Sequence, residues 1–262
     1  MSKPAVVVLI IIGIVIVLFF GFMIIANSNI SKHDTLLRSM GSVQEILNEY
    51  GIEGAYEEKG TLDRNKLAAE GVIPRDSGSL NISGNNLITG RYKQIEFESA
   101  AINMSLDYGT DFPTELYYSG RITVMYQEQG PTMTHLLVQK QLPKKSGMTK
   151  KFGNEMAIAN GLTGLRYGKK EIEVDPEWDR KWITYSDDKE QTVKMFDHGT
   201  KYREQFMTSQ LDFILRTERS IVFGSQNDIV FEDRNDKDVQ QNIRDSIGKI
   251  FKDFDAIVLY CT

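Results

Sequence analysis

Residues 5–26, AVVVLIIIGIVIVLFFGFMIIA, carry no charge over 22 positions and are mostly Val, Ile, Leu and Phe. A helix rising about 1.5 Å per residue covers ~33 Å over that length, enough for a hydrocarbon core of roughly 30 Å. A secretory signal has a shorter apolar region of about 7–15 residues, ending at a small-residue cleavage site. Met23-Ile24-Ile25-Ala26-Asn27 offers no A-x-A pattern. The expectation is one retained transmembrane span with residues 1–28 as the anchor, placing the chain in the cell membrane through lipid contact over 5–26.

The flanking charges leave the sense of the span open. Lys3 and the amino terminus precede it, Lys32 and Arg38 follow it, and positive charge near the ends is what sets orientation. Gly13 and Gly21 lie eight apart, not the four of a small-xxx-small dimer face.

The ~235 residues beyond the span suit one large or two small domains. They hold the aromatic residues a core needs. A formal charge of −5 argues against nucleic-acid binding. The single cysteine, Cys261, excludes an internal disulfide.

Residues 29–79 read as a helical stem and linker. Leu36, Leu37, Met40, Val43, Ile46 and Leu47 form one apolar stripe, which Gly51 ends. The stripe is expected to pack on the chain's own domain. A short helix is expected over 62–70 with Thr61 as cap, and Gly, Ser, Asn and Pro punctuate 72–90 as a boundary. From Arg91 to Gln141 the period changes to two. Strands are expected around Ile95–Leu106, Leu116–Tyr118, Ile122–Tyr126 and Leu136–Val138, in an antiparallel meander.

In the last third, Trp182–Tyr185 read as extended, and Asp187 or Asp188 as the cap of a helix carrying Val193 and Phe196. A second helix is expected from Thr200 to about Leu215. A hairpin follows over Ile221–Phe223 and Ile229–Phe231, then a helix over Lys237–Phe254 and a closing strand over Ala256–Cys261. The fold class is α+β: a transmembrane helix and helical stem, then a soluble domain over 80–262 built on a mainly antiparallel sheet with packed helices.

Two clusters are candidate sites. Lys140, Lys144, Lys145, Lys150 and Lys151 lie in a segment, 139–170, with eight basic residues against Glu155, suited to lipid or partner contact. Asp175, Glu177, Asp179, Asp187 and Asp188 form an acidic block without the spacing of a Ca²⁺ loop. His33, His135 and His198 have no second ligand at metal spacing. The glycines of 153–168 fit neither a dinucleotide fingerprint nor a P-loop. No cofactor, metal or catalytic residue is therefore expected.

The blocks ITGRYKQIEFESAAI (88–102), ELYYSGRITVM (115–125), VDPEWDRKWITYSDDKEQTVKMF (174–196) and SIVFGSQNDIVFED (220–233) resemble a bacterial membrane-anchored domain family of unknown function. The resemblance covers about 80–262 and centres on Asp175-Pro176-Glu177-Trp178 through Asp188. The family commonly has two spans where this chain has one. The stem NSNISKHDTLLRSMGSVQEIL is similar to the start of LemA-type membrane proteins, near which the family is often found. The resemblance implies a domain on the cytoplasmic side and a protein partner, a LemA-type protein being the first candidate. It assigns no activity. The leading expectation is a non-enzymatic, membrane-tethered interaction or scaffold module. The alternatives are an envelope hydrolase using the block 175–188, or a lipid or peptide sensor using 140–170.

Overall fold

A computed structural model of the chain describes residues 43–70, 72–73, 80–106, 115–126, 136–140, 170–217, 220–229 and 239–261. The apolar segment 5–26 lies outside them. Among the described residues no helix is long and apolar enough to cross a membrane.

The described elements are helix α1 (43–49), β1 (Glu53–Glu57), α2 (Arg64–Ala69), β2 (Leu80–Tyr92), β3 (Ile95–Leu106), β4 (Glu115–Tyr126), β5 (Leu136–Lys140), β6 (Lys170–Ile172), β7 (Trp182–Ser186), α3 (Lys189–Met195), α4 (Lys201–Thr208), β8 (Leu211–Arg216), β9 (Ser220–Ser225) and α5 (Val239–Cys261). The strands form one sheet in the order β1-β2-β3-β4-β9-β8-β5-β7-β6, and every neighbouring pair is antiparallel. Helices packed on a large antiparallel sheet make this an α+β fold.

Strand alternation sends consecutive side chains to opposite faces, and here both faces are covered. Phe97, Met125, Ile214, Ile221 and Phe223 join α1 and α5 in one core, with Trp178, Trp182, Phe196 and Phe206 at its far end. Their strand neighbours Ile122, Val124, Leu215 and Val222 join Leu62, Leu67, Val72 and Ile73 beneath α2. Full burial of each large apolar side chain stabilises by about 1.5–3 kcal/mol.

The amphipathic stripe of α1 delivers Val43, Ile46 and Leu47 to the first core. Gly51 ends this helix at φ 72°, with Ile52 N–H donating to Leu47 O at 3.1 Å, a left-handed stop that glycine takes without strain. Arg244 on α5 bridges Glu49 at 3.0 Å, and Phe251 stacks on Tyr50. Gly54 and Gly90 then bring β1 and β2 so close that a Cβ on either would strike the other strand's backbone.

Several boundaries differ from the expectations. The stretch 80–90 is not boundary loop but most of β2. Its Ile82 and Ile88 pack on opposite faces across a bulge between Asn85 and Ile88. Asp63, not Thr61, caps α2, accepting from Asn65 and Lys66 N–H. Gly120 does not split β4, which runs through it in register with Ile102. The helix that begins at Thr200 stops at Thr208, and Leu211, Ile214 and Leu215 belong to β8, where the segment LDFILR is buried on every side. β9 pairs with β8 and β4, and Ile229 is a loop residue packed into the core; the rest of the expected second hairpin strand, 230–231, lies outside the described residues. Ala256–Cys261 is no strand. Helix α5 continues through it because Ile257 extends the stripe of Ile243, Ile247, Ile250 and Phe254, with no Gly or Pro to stop the turn.

Candidate functional site

The acidic block lies at the β6–β7 end of the sheet. Asp175 opens a tight turn, its Oδ1 accepting from Glu177 N–H at 2.9 Å and Trp178 N–H at 3.0 Å. Asp179 Oδ1 takes the Val174 N–H at 3.2 Å. The turn seats Trp178 in the core, stacked on Phe196 with centroids 4.2 Å apart, its Nε1 donating to Thr184 Oγ1 at 2.9 Å.

Arg203 of α4 closes this turn from outside. Thr200 caps the helix and thereby sets the first-turn position from which Arg203 reaches back. Its guanidinium donates through Nη1 to Asp175 Oδ2, through Nη2 to Asp175 Oδ1 at 3.2 Å and to Glu177 Oε2 at 2.8 Å, and through Nη1 to Phe196 O at 2.9 Å. It lies 5.9 Å from the Trp178 ring centre. The bond from Arg203, with backbone N–H groups in support, holds the Asp175 carboxyl well below the usual carboxylate range. The two carboxylates raise the Arg203 guanidinium in turn, Asp175 first. His198 stands at the rim, Nε2 3.7 Å from Asp175 Oδ2 and Nδ1 3.8 Å from Glu177 Oε2.

Asp175, Glu177 and His198 bring their ligand atoms within 4.8 Å of one another, the metal-like grouping found among the described residues. The donor set does not fit a cation well. Arg203 already occupies the same carboxylate oxygens, and a divalent ion would have to displace a charge-assisted, two-pronged pair. The arrangement is chemically a latch: it fastens the Asp-Pro-Glu-Trp turn to α4.

Asp187 and Asp188 belong to a different local structure. Asp188 is the cap of α3, accepting from Gln191 N–H at 2.9 Å, and Thr192 Oγ1 donates back to Ser186 Oγ at 2.8 Å. Asp187 is exposed in the bend before it. The structure thus brings together Asp175, Glu177 and Asp179, and places Asp187 and Asp188 in a separate cap. Of the basic candidates, Lys140 ends β5 opposite Trp182. Lys144, Lys145, Lys150 and Lys151 lie outside the described residues.

A second polar centre is absent from the sequence candidates. Arg121 on β4 is 1% exposed inside the sheet-and-helix core. It donates to Asn86 O at 3.1 Å, Ser99 Oγ at 3.3 Å and Asp228 Oδ1 at 2.7 Å, while its Nε is buried without a hydrogen-bond partner. Asn86 sits at φ 55° in the β2 bulge and accepts from Tyr56 OH at 2.8 Å. Burial, followed by the charge of Glu58, pushes the Tyr56 hydroxyl up. Burial lowers Arg121 against the opposing pull of Asp228. Next along the same loop, Asn227 donates to Asp253 of α5 at 2.7 Å, and Gln226 donates to Asp212. The signal was present in the sequence: a lone arginine at the head of the apolar run ITVM, and the polar run SQND after an apolar strand.

No protein-family model and no curated protein matches the chain. Among solved structures it is similar to the mycobacterial trehalose monomycolate transport factor A, TtfA, at 8% identity over 84% of this chain and 94% of that chain. The TM-score is 0.35, a level of likeness from which neither fold nor function follows.

Proposed function

We propose that the chain is a non-enzymatic, membrane-tethered interaction module, anchored through residues 5–26 with its domain on the cytoplasmic side. One observation carries the reading against the hydrolase alternative. The block that a hydrolase would use spends its carboxylates on the fold, Asp175 and Glu177 on Arg203, Asp179 on a backbone N–H and Asp188 on a helix start. A general acid or base needs an oxygen free to meet substrate, with a carboxyl pKa raised toward neutrality, and Asp175 is shifted the opposite way.

The test uses the full chain in membranes, carrying a photo-cross-linking residue at exposed positions such as Glu45 or Lys181. A discrete cross-linked protein, formed equally by Glu177→Gln, supports the module. Glu177 is more than half exposed, so this change leaves the Asp175–Arg203 pair in place. No discrete cross-link from any position, together with failure of stably folded Glu177→Gln to complement a deletion strain, overturns the reading in favour of chemistry. Cys261 is the single thiol and reports the side of the membrane. Labelling by an impermeant thiol reagent only after permeabilisation supports the cytoplasmic placement, and labelling of intact cells overturns it.

A further inference from the structure

β1 begins the strand order and pairs with β2 from Glu53 opposite Arg91 to Glu57 opposite Leu87. Its burial is that of an open edge: Glu53, Gly54, Ala55 and Glu57 are exposed and Tyr56 is half-buried. In an antiparallel strand each residue turns its N–H and C=O to the same side, and alternate residues face away from the neighbour. The close approach of Gly54 to Gly90 and the direction of the Gly54 carbonyl put Gly54 in the outward set. Gln44 Nε2 of α1 donates to that carbonyl at 3.0 Å and is steadied by Asn48 Oδ1 at 3.3 Å. A side-chain amide thus stands where the backbone N–H of one more strand would stand.

The charges along this edge define the strand that fits it. Glu53 and Glu57 share one face with Ala55, because strand side chains alternate. Arg91 lies across from Glu53 but is engaged by Glu96 at 2.9 Å, and Arg244 of α5 is engaged by Glu49. A second copy of this chain is a poor occupant. The antiparallel register in which all of β1 overlaps is centred on Ala55, and it sets Glu53 of one copy against Glu57 of the other at both ends. Like charges directly opposite each other destabilise a sheet.

We propose that β1 is a strand-addition edge, held closed by Gln44, for an extended segment of a partner protein with Lys or Arg at every fourth position. The partner's backbone N–H displaces Gln44 from Gly54 O, and its two cations meet Glu53 and Glu57. Main-chain bonds supply the affinity, and the spacing of the cations supplies the selectivity. Gln44 is then a competitor, so its loss strengthens binding, the reverse of what removing a contact residue does. The inference rests on reading the domain as an interaction module and names the edge used and the partner's chemistry.

The probe is a fluorescent, end-blocked octapeptide of threonine and valine with lysine at its second and sixth positions. It is titrated into the full chain in detergent and followed by anisotropy. One control moves the second lysine to the fifth position and so to the opposite face of the strand. The other methylates the backbone nitrogens that would face β1, which keeps the charge and removes the main-chain donors. Saturable binding of the first peptide, about three- to tenfold tighter than either control, is expected. Gln44→Ala should tighten it about two- to fivefold, the release of one neutral hydrogen bond. Ala55→Lys, at an exposed position between the two glutamates, should weaken it about three- to tenfold. If Gln44→Ala itself lowers the melting temperature, hydrogen exchange at the wild-type Gly54 N–H takes its place. Slower exchange on peptide addition supports the proposal, and unchanged exchange overturns it. Equal binding of the methylated peptide, or unchanged or weaker binding by stably folded Gln44→Ala, also overturns it. A discrete cross-linked partner without peptide binding sinks this inference while leaving the module reading intact. Loss of every cross-link sinks the module reading itself.

Discussion

Two of the deeply placed arginines, Arg203 and Arg121, solve one physical problem differently. Arg203 sits at the rim, where its guanidinium is shared between two carboxylates and a carbonyl, and one of those carboxylates is half in water. Arg121 sits in the middle of the fold with one carboxylate, one carbonyl and one hydroxyl, and its Nε has no partner. The first fastens two neighbouring segments, the Asp175 turn and α4. The second gathers the β2 bulge, β3, β4 and the 226–229 loop, which are far apart in sequence. A rim latch can open without unfolding the sheet; a central rivet cannot.

Substitution at the rivet should have the largest effect. Arg121→Ala should cost about 3–5 kcal/mol, since it opens a cavity and strips Asn86 O of its donor. For a domain of this size that lowers the melting temperature by roughly 6–20 °C. Arg121→Met fills the same volume with apolar atoms and should recover at least half of the loss. If Ala and Met are equally damaging, the polar bonds and not the filled space dominate. Arg203→Ala should cost about 2 kcal/mol, with Glu177 contributing little because it is exposed.

The pH dependence separates the two further. Asp175 has its pKa depressed by Arg203, so the stability it contributes is present above about pH 4 and is lost as pH falls toward the folded value. The gap between wild type and Arg203→Ala, measured by denaturant midpoint, should therefore start to narrow below about pH 4 and go on narrowing as pH falls further, with the larger part still present at pH 3. Asp253 behaves with the opposite sign. Burial raises its pKa, so its ionisation opposes folding as pH rises above about 4, and Asp253→Asn should flatten that part of the profile. The smallest effect belongs to the cap. Asp188→Ala should cost about 1 kcal/mol, and Asp188→Ser, which keeps a capping oxygen, should restore most of it.

The latch was partly legible in the sequence and the rivet was not, for a local reason. Asp175-Pro176 announces a turn and Asp188 announces a cap through neighbours within four residues. Only the partner, Arg203, 28 positions away, was missing from the reading. Arg121 depends on Asn86 and Asp228, 35 and 107 positions away, and no local period encodes that meeting. The same distinction explains the elements. The stripe Ile243, Ile247, Ile250 and Phe254 marked α5 from its own spacing, and the period of two in 95–106 marked β3. LDFILR was misread because a strand buried on both faces loses its alternation and resembles a buried helix turn. AIVLYC was misread because β-branched residues favour strands until tertiary packing overrides them.

The placement of β5 carries a consequence for how the chain matures on the ribosome. Its residues, 136–140, pair with β7 at 182–186 on one side and with β8 at 211–216 on the other, both made later. At a synthesis rate of about 5–20 residues per second, β5 waits roughly 2–8 s for the first partner and longer for the second. Meanwhile β1, β2 and β3 upstream have all their partners, and β4 shares the wait, its outer edge pairing with β9 at 220–225. The nascent chain therefore passes through a stage with a four-stranded half-sheet open at β4 and an unclaimed apolar strand. That interval is when a chaperone has most to do, and when slowing translation downstream of residue 140 would most increase aggregation.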